Sequence, residues 1–278
     1  LVKTYPNGTM DWNMTYGGLA NEGGHSVQQT VDGGYIVAGY SYSTGDHDVY
    51  VVKTFSNGTM DWDMTYDRSN YDVGWSVRQT LDGGYVIAGE TQSLVDSDID
   101  VWLMKTYPNG TMQWDQNYGG ASDDGGRSVQ QTSDGGYIVA GYTESFGAAS
   151  KDVYVVKTYS NGTMQWNQTY GLGDYNDGYS VQQTVDGGYI VAGETGPAME
   201  MESYITAGET EVIALTSQDF YLVKLAGGLP VGGTLGSVNR VYLLMALIKT
   251  FVVDWWPLLL GVTGLITGAY IVLQRRRH

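Results

Sequence analysis

The chain has 278 residues, with 30 acidic and 14 basic side chains, and its net charge of −16 disfavours binding to nucleic-acid phosphate. Its 40 glycines and 23 tyrosines, with only 16% charged residues, indicate short strands and tight turns rather than long helices. The lack of cysteine excludes disulfides and thiolate metal sites, and the three scattered histidines disfavour a histidine metal cluster or a Ser-His-Asp triad.

A repeat dominates residues 1–226. Its marker, Asp-Gly-Gly-Tyr, begins at residues 32, 82, 134 and 186, at spacings of 50, 52 and 52 residues. A degenerate fifth copy of one strand lies at 220–225. A second block, Lys-Thr-aromatic followed by Asn-Gly-Thr-Met-x-Trp, recurs with the marker, and its lysines and tryptophans are Lys3, Lys53, Lys105, Lys157, Trp12, Trp62, Trp114 and Trp166.

Each repeat predicts four short strands. In the third copy they are 127–132, 137–143, 152–159 and either 112–118 or its equivalent 164–170. Asp-Gly-Gly and Asn-Gly are hairpin-turn signals, and strands that are apolar on both faces suit burial between stacked sheets. Four strands per unit at this period predict an all-β fold, a β-propeller of four-stranded blades. The repeated tryptophans are expected to fill the space between blades.

The number of blades depends on how the two ends of the repeat region meet. The chain opens at the third strand of a blade, continues with three complete blades, and ends in a fourth, 180–226, that lacks its own fourth strand. Residues 10–16 could supply that strand and close a ring of four blades, which leaves Leu1–Tyr5 as a duplicate of 220–225. Alternatively, further blades precede Leu1 and the ring is larger.

The composition changes after the repeats. A glycine-rich linker at 227–240 precedes a hydrophobic helix at 241–274, of which about 252–273 is long enough to span a bilayer. A basic cytoplasmic tail, 275–278, follows, because the positive-inside rule retains such a tail inside the cell.

Aromatic and basic residues flank this predicted span. Trp255 and Trp256 are expected at the outer membrane interface, and Arg275, Arg276 and Arg277 at the inner one. The protein is therefore expected in the cell membrane, with a single pass and an extracellular propeller.

Six Asn-x-Thr sequons make the chain a candidate glycoprotein. Four of them coincide with the predicted hairpin tips, and glycans are expected at several of these tips because they are accessible. The other two lie beside a tryptophan within a strand. The acceptor asparagines are Asn7, Asn57, Asn109, Asn161, Asn13 and Asn167.

Carboxylates recur in the loops and form weak candidates for calcium ligands, the one cofactor considered. They are Asp96, Asp98, Asp100, Asp123 and Asp124. None belongs to a twelve-residue loop with a terminal glutamate, so solvated acidic loops are the favoured interpretation. The insertion at 197–218 breaks the repeat and is the best sequence candidate for a specific contact.

Three segments resemble known families. The unit Val153–Trp166 is similar to the strand–turn–Trp unit of quinoprotein-like propellers, although their vicinal cysteines are missing. The block from Ser128 to Gly141 resembles a repeat of secreted and surface proteins of archaea and bacteria. Residues 230–240, with the helix and arginine run that follow, resemble the membrane anchors of archaeal surface proteins, which implies an archaeal origin.

These observations favour a binding or structural cell-surface module with a role in adhesion, a surface layer or scaffolding. Its expected partners are the membrane, glycans, other surface proteins or a second copy of itself, and no nucleic acid. An accessory subunit of a larger membrane complex is the alternative. An enzyme acting on extracellular polymer ranks third, because no nucleophile–base pair stands apart from the repeat.

Overall fold

The computed structural model describes residues 1–42, 45–93, 97–147, 150–171 and 174–196, and the backbone of Asp219–Leu225. Contacts divide the chain into two units, and all the described residues belong to the first, Leu1–Gly228. Every regular element among them is a β-strand, and every strand pairing in a sheet is antiparallel.

The strands form three complete four-stranded sheets between two partial ones, and in each sheet neighbouring strands follow chain order. The N-terminal pair is β1 (Val2–Thr4) and β2 (Met10–Asn13). Sheet 1 is β3 (Glu22–Gln29), β4 (Tyr35–Ser41), β5 (Asp48–Thr54) and β6 (Met60–Tyr66). Sheet 2 is β7 (Asp72–Gln79), β8 (Tyr85–Gln92), β9 (Ile99–Thr106) and β10 (Met112–Tyr118). Sheet 3 is β11 (Asp124–Gln131), β12 (Tyr137–Thr143), β13 (Asp152–Thr158) and β14 (Met164–Tyr170), and sheet 4 is β15 (Asn176–Gln183), β16 (Tyr189–Thr195) and β17 (Asp219–Leu225).

This topology confirms the prediction of an all-β, propeller-like fold built from repeated four-stranded sheets. The fourth strand of the third repeat is 164–170, and the first strand of that repeat begins three residues earlier than predicted, at Asp124. Within the described residues, 10–16 do not complete sheet 4, because β2 pairs with β1.

No helix in the part of the chain that the structure describes is long and apolar enough to cross a bilayer. The predicted span at 252–273, its flanking residues Trp255, Trp256, Arg275, Arg276 and Arg277, and the insertion at 197–218 lie outside the described residues.

A buried lysine fixes the turn between the first two strands of each complete sheet. In sheet 1, Lys53 is 3% exposed, and its Nζ donates to Asp32 at 2.8 Å and to the carbonyl of Thr54 at 3.0 Å. The ion pair holds the pKa of Asp32 at about 2. Asp32 also accepts a hydrogen bond from the backbone N–H of Gly34. The same lysine–aspartate pair recurs in sheets 2 and 3, as Lys105–Asp82 and Lys157–Asp134.

Successive sheets are joined by aromatic contacts that span the interface. Trp12 packs on Tyr35 with ring centroids 5.7 Å apart, and the equivalent pair Trp62–Tyr85 measures 5.8 Å. The next two sheets repeat this contact with Trp114–Tyr137 and Trp166–Tyr189. The repeated tryptophans therefore lie between sheets, as expected. Around them, alternating Val, Ile and Ala of both neighbours form the apolar core, worth about 25 cal/mol per Å² of buried apolar area.

A β-bulge interrupts the pairing of the first two strands in all four sheets. In sheet 2 the register shifts between Gly74 and Ser76, so Trp75 is the extra residue. The shift presses the carbonyl of Val73 against Gly89 of the second strand, where an added Cβ would lie 1.9 Å from that oxygen. A glycine is therefore required opposite each bulge. At each bulge the side chain of the extra residue departs from the regular alternation between the two faces of the sheet.

Replacing Gly89 with alanine is expected to destabilise the fold by about 3 kcal/mol, because neither the added methyl group nor the carbonyl of Val73 can move apart at low free-energy cost. The midpoint of urea unfolding measures the loss. Gly18→Ala is the matched control, since its nearest non-neighbouring atom would lie 3.8 Å away, an ordinary contact. Equal midpoints for the two variants would contradict the steric role of Gly89.

Candidate functional site

The antiparallel order gives every sheet two distinct ends. The Asp-Gly-Gly and Asn-Gly-Thr turns lie at one end, named here the turn end. The loops that join the second strand to the third, and one sheet to the next, lie at the other, named the loop end. The first strands of successive sheets, β3, β7, β11 and β15, lie beside one another. Residues at the start of these strands are consequently neighbours at the loop end.

The repeats differ from one another mainly at the loop end. The turn-end sequences are nearly identical in the three complete sheets, whereas the bulge residue changes completely from one sheet to the next. A second variable residue directly follows the glycine that faces each bulge. The bulge residues are His25, Trp75, Arg127 and Tyr179, and the second set is Tyr40, Glu90, Tyr142 and Glu194.

The bulge side chains of three sheets stack in a row. The rings of His25 and Trp75 are 4.0 Å apart at 11°, and the guanidinium of Arg127 lies 4.5 Å above Trp75. Arg127 also lies 5.1 Å from the ring of Tyr142. Cation–π and ring stacking thus connect sheets 1, 2 and 3 at this end. Desolvation by burial lowers the pKa of His25, which favours its neutral form.

Two buried carboxylates face Arg127. Its Nη1 lies 2.9 Å from Oε1 of Glu90, and its Nε lies 3.7 Å from Oδ2 of Asp177. The side chains of Glu90 and Asp177 are 4% and 2% exposed. Burial raises the pKa of Asp177 to about 6, against the opposing effect of Arg127. Within the described residues, Oδ1 of Asp177 and Nε1 of Trp75 are buried without a hydrogen-bond partner.

Further aromatic residues surround this row. The ammonium of Lys151 lies 3.6 Å from the ring of Tyr142 and 5.0 Å from that of Tyr175, and His47 packs against Tyr40 and Tyr71. The side chain of Tyr179 is 48% exposed. We call this set the loop-end cluster; its members are His25, Tyr40, His47, Tyr71, Trp75, Glu90, Arg127, Tyr142, Lys151, Tyr175, Asp177 and Tyr179.

The predicted calcium candidates serve as loop connectors. Oδ1 of Asp123 accepts from the N–H of Ile99 at 2.9 Å, and Oδ2 of Asp124 accepts from the N–H of Gly120 at 2.8 Å. Asp96 lies outside the described residues. Of the other two candidates, Asp100 accepts from the side-chain amide of Asn117, and the carbonyl of Asp98 accepts from the N–H of Ser93.

A different acidic group comes together between sheets 1 and 2. Carboxylate oxygens of Asp48, Asp67 and Asp72 lie within 4.8 Å of one another, and of these only Asp48 lies in a short acidic motif of the sequence, Asp46-His-Asp48. Asp72 also accepts from the N–H groups of Arg68 and Ser69, so at least part of this group organises the loop. Calcium binding stays a prediction.

The sequons divide between tips and strands. The four tip asparagines Asn7, Asn57, Asn109 and Asn161 are exposed and all lie at the turn end, opposite the loop-end cluster. In each tip the asparagine Oδ1 accepts from the N–H of the sequon threonine. Asn13 in β2 is exposed and Asn167 in β14 is half-buried.

The loop-end cluster was not predicted from the sequence. One signal could have found it: between the glycine and the serine that begin each first strand, the repeat carries His, Trp, Arg and Tyr in turn. Variation at a position that lies between a constant glycine and a constant serine indicates a residue chosen for its own contacts.

No protein-family model matches the chain, and no curated protein sequence matches it. Solved structures do match, among them the crystal structure of Sqt1 from Chaetomium thermophilum, at 13% identity and a TM-score of 0.36. That alignment covers 63% of this chain and 41% of Sqt1, so the chain spans less than half of that structure. A similarity this low carries no argument about function, and the resemblance to archaeal surface proteins stays a prediction.

Asp177 predicts a pH dependence of stability. Its pKa is about 6 in the folded protein, whereas an unfolded aspartate titrates near ~3.9, so the folded state binds the proton more tightly. The contribution of Asp177 therefore stabilises the fold below about pH 4 and is lost as the pH rises to about 6, a change of about 3 kcal/mol.

The Asp177→Asn variant is expected to lose this component of the pH profile, measured as urea unfolding between pH 4 and 7. Asp61→Asn, which changes an exposed carboxylate of β6, is the control and is expected to keep the wild-type slope. An unchanged slope in Asp177→Asn would show that this carboxylate is not the titrating group.

Proposed function

We propose that the protein is a binding module of the cell surface, which recognises another protein with its loop end. The repeated sheets serve as the rigid scaffold. The loop-end cluster supplies the recognition residues, and the predicted C-terminal helix anchors the module in the membrane with its repeats outside the cell.

The observation that carries this proposal is the separation of constant and variable residues. The turn end repeats nearly the same sequence in sheets 1, 2 and 3, while the loop end of each sheet carries different aromatic and charged side chains. A rigid scaffold needs constant residues that maintain the fold, and a recognition surface needs residues that differ from one sheet to the next. A purely structural disc would not require a different residue at each bulge.

The composition of the cluster favours a protein partner. Trp, Tyr and Arg are the residues most enriched at the energetic centres of protein interfaces, and Trp75, Arg127 and Tyr179 occupy three successive bulges. Stacking restrains the side chains of Trp75 and Arg127 in the free protein, so little side-chain entropy is lost on binding.

The charge of the protein indicates the charge of the partner surface that it would bind. The whole chain has a net charge of −16, and Glu90, Asp177 and Glu194 outnumber Arg127 and Lys151 along the loop-end cluster and its edge. A basic surface would be steered toward it and an acidic one repelled. The partner is therefore a protein with a basic patch, either on another cell or in the same membrane, which includes the case of an accessory subunit.

The predicted glycosylation also supports binding through the loop end. Glycans at the exposed tip asparagines would cover the turn end and leave the loop end free, because the two lie at opposite ends of every sheet. Display on a membrane helix and glycosylation at the turn end are parts of this proposal.

Photo-crosslinking from inside the cluster tests the function. A photoreactive phenylalanine analogue replacing Tyr179 in the native membrane is expected to form adducts with one recurrent protein, identified by mass spectrometry. The control places the analogue at Tyr159, which is similarly exposed at 55% but lies at the turn end. A Trp75→Ala substitution should reduce the Tyr179 adduct at least tenfold, about 1.4 kcal/mol. Equal adducts from both positions would refute a loop-end binding surface.

Glycosylation is tested at one tip with a matched pair of variants. Thr59→Ala destroys the sequon of Asn57 and is expected to remove one glycan from the native protein, whereas Thr59→Ser preserves the acceptor motif. Mass spectrometry of the intact protein and of its glycopeptides measures occupancy. An unmodified Asn57 in wild-type protein from the native membrane would contradict the prediction for that site.

A further inference from the structure

An exposed aromatic residue precedes the acceptor asparagine of each turn-end tip by two positions. It is tyrosine in three tips and phenylalanine in one, so the ring is the part that all four share. The exposed fraction is 51% for Tyr5, 52% for Phe55, 51% for Tyr107 and 55% for Tyr159. A large apolar ring that is constant and yet half open to water is not explained by packing of the core.

The constancy of these rings is not a general property of the turn end. The residue before each Asp-Gly-Gly turn is also exposed, and it is Val31, Leu81, Ser133 or Val185. A polar residue is therefore accepted at that position, whereas the tip position is always aromatic. Within the part of the chain that the structure describes, none of the four tip rings stacks on another aromatic ring.

The two sequons inside strands lack this feature. Asn13 and Asn167 have Asp11 and Gln165 two positions earlier, where the tips have a ring. The combination of ring, asparagine and threonine thus belongs to the exposed hairpin tips and not to every Asn-x-Thr of the chain.

The turn places these three side chains on one face of the hairpin. In sheet 1 the N–H of Phe55 donates to the carbonyl of Thr59 at 2.9 Å, and the N–H of Gly58, at a φ of +84°, donates back to the carbonyl of Phe55 at 3.0 Å. Residues that face each other across a hairpin direct their side chains to the same face. Asn57 joins them, because its Oδ1 accepts from the hydroxyl of Thr59 at 2.8 Å.

The turn uses only the oxygen of the asparagine amide. Oδ1 accepts from the threonine N–H in all four tips, and also from the threonine hydroxyl at Asn7, Asn57 and Asn109. Among the hydrogen bonds described for the tip asparagines, none involves Nδ2, the nitrogen to which an N-linked glycan is attached. The first sugar would therefore start from an atom that the turn does not need, beside an exposed ring.

A sugar and an aromatic ring attract each other for a physical reason. One face of a pyranose carries mainly C–H groups, whose weakly positive hydrogens suit the negative face of an aromatic ring. The contact also removes apolar area of the exposed ring from water. Because the covalent link already holds the sugar near the ring, little further entropy is lost when the two come into contact.

We propose that each turn-end tip is a sugar-stacking site, in which the aromatic ring holds the first sugar of the glycan on the asparagine two positions later. The rings are Tyr5, Phe55, Tyr107 and Tyr159. The glycan then stabilises the hairpin that carries it, which in sheet 1 is β5–β6. This proposal rests on the glycosylation contained in the proposed function, and it gives the glycan a structural role and assigns the residues responsible.

Hydrogen exchange read by mass spectrometry tests the contact at Asn57. The full chain is purified in detergent from its native membrane, with its glycan and as the Asn57→Asp variant, which keeps the shape of the side chain but accepts no glycan. The equilibrium constant for local opening of β5–β6 is expected to be about fivefold smaller with the glycan, the effect of one aromatic contact. In a Phe55→Ala background the same comparison is expected to give a difference of less than about twofold.

Two further backgrounds separate the ring from other effects of substitution. Phe55→Tyr is expected to keep the full effect of the glycan, because tyrosine occupies this place in the other three tips. Val31→Ala is the matched control, since it shortens an exposed apolar side chain at the same end of the same sheet, and it should also keep the full effect.

The glycan at Asn57 is first identified by its mass in each background, so that two failures can be told apart. An Asn57 that carries no glycan in the wild-type protein would overturn both the glycosylation and the sugar-stacking site. A glycan that is present but stabilises the hairpin equally with and without the ring, or not at all, would overturn the stacking site alone. The exposed rings would then belong to a surface for another molecule.

Discussion

The structure depends on one constraint: a four-stranded sheet with two apolar faces is stable only when both faces are covered. Isoleucine and alanine of one sheet meet valine and tyrosine of the next, as Ile36 and Ala38 do with Val77 and Tyr85. Because a single sheet buries too little, the repeats stabilise one another through their interfaces.

Local polar contacts make each sheet regular enough to stack. Lys53 and its equivalents connect the first turn to the third strand, and an aspartate in each such turn accepts backbone and side-chain hydrogen bonds. At the other end of the sheet the glycine opposite the bulge lets two backbones approach closely. Each sheet therefore has a constant end that maintains the fold and a bulged end whose side chain can change without disturbing the core.

The loop-end cluster combines stacking with buried charge. Arg127 joins Trp75, Tyr142, Glu90 and Asp177 across three sheets, and the carboxylates are nearly inaccessible to water. Such a group costs free energy unless its charges are paired, and its incomplete pairing at Asp177 is consistent with a surface selected for contacts rather than for stability.

The sequence by itself determined the repeat, the all-β class, the hairpin turns and the second and third strands of the third repeat, because period-two patterns and turn residues act over a few positions. It left the fourth strand of that repeat open between 112–118 and 164–170. It did not determine that His25, Trp75 and Arg127 stack, since residues about 50 positions apart meet only when sheets pack face to face. The pairing of β1 with β2 across the Asn7-Gly8 turn is local, as in the other hairpins, but the contact of Trp12 with Tyr35 of sheet 1 was decided by tertiary structure.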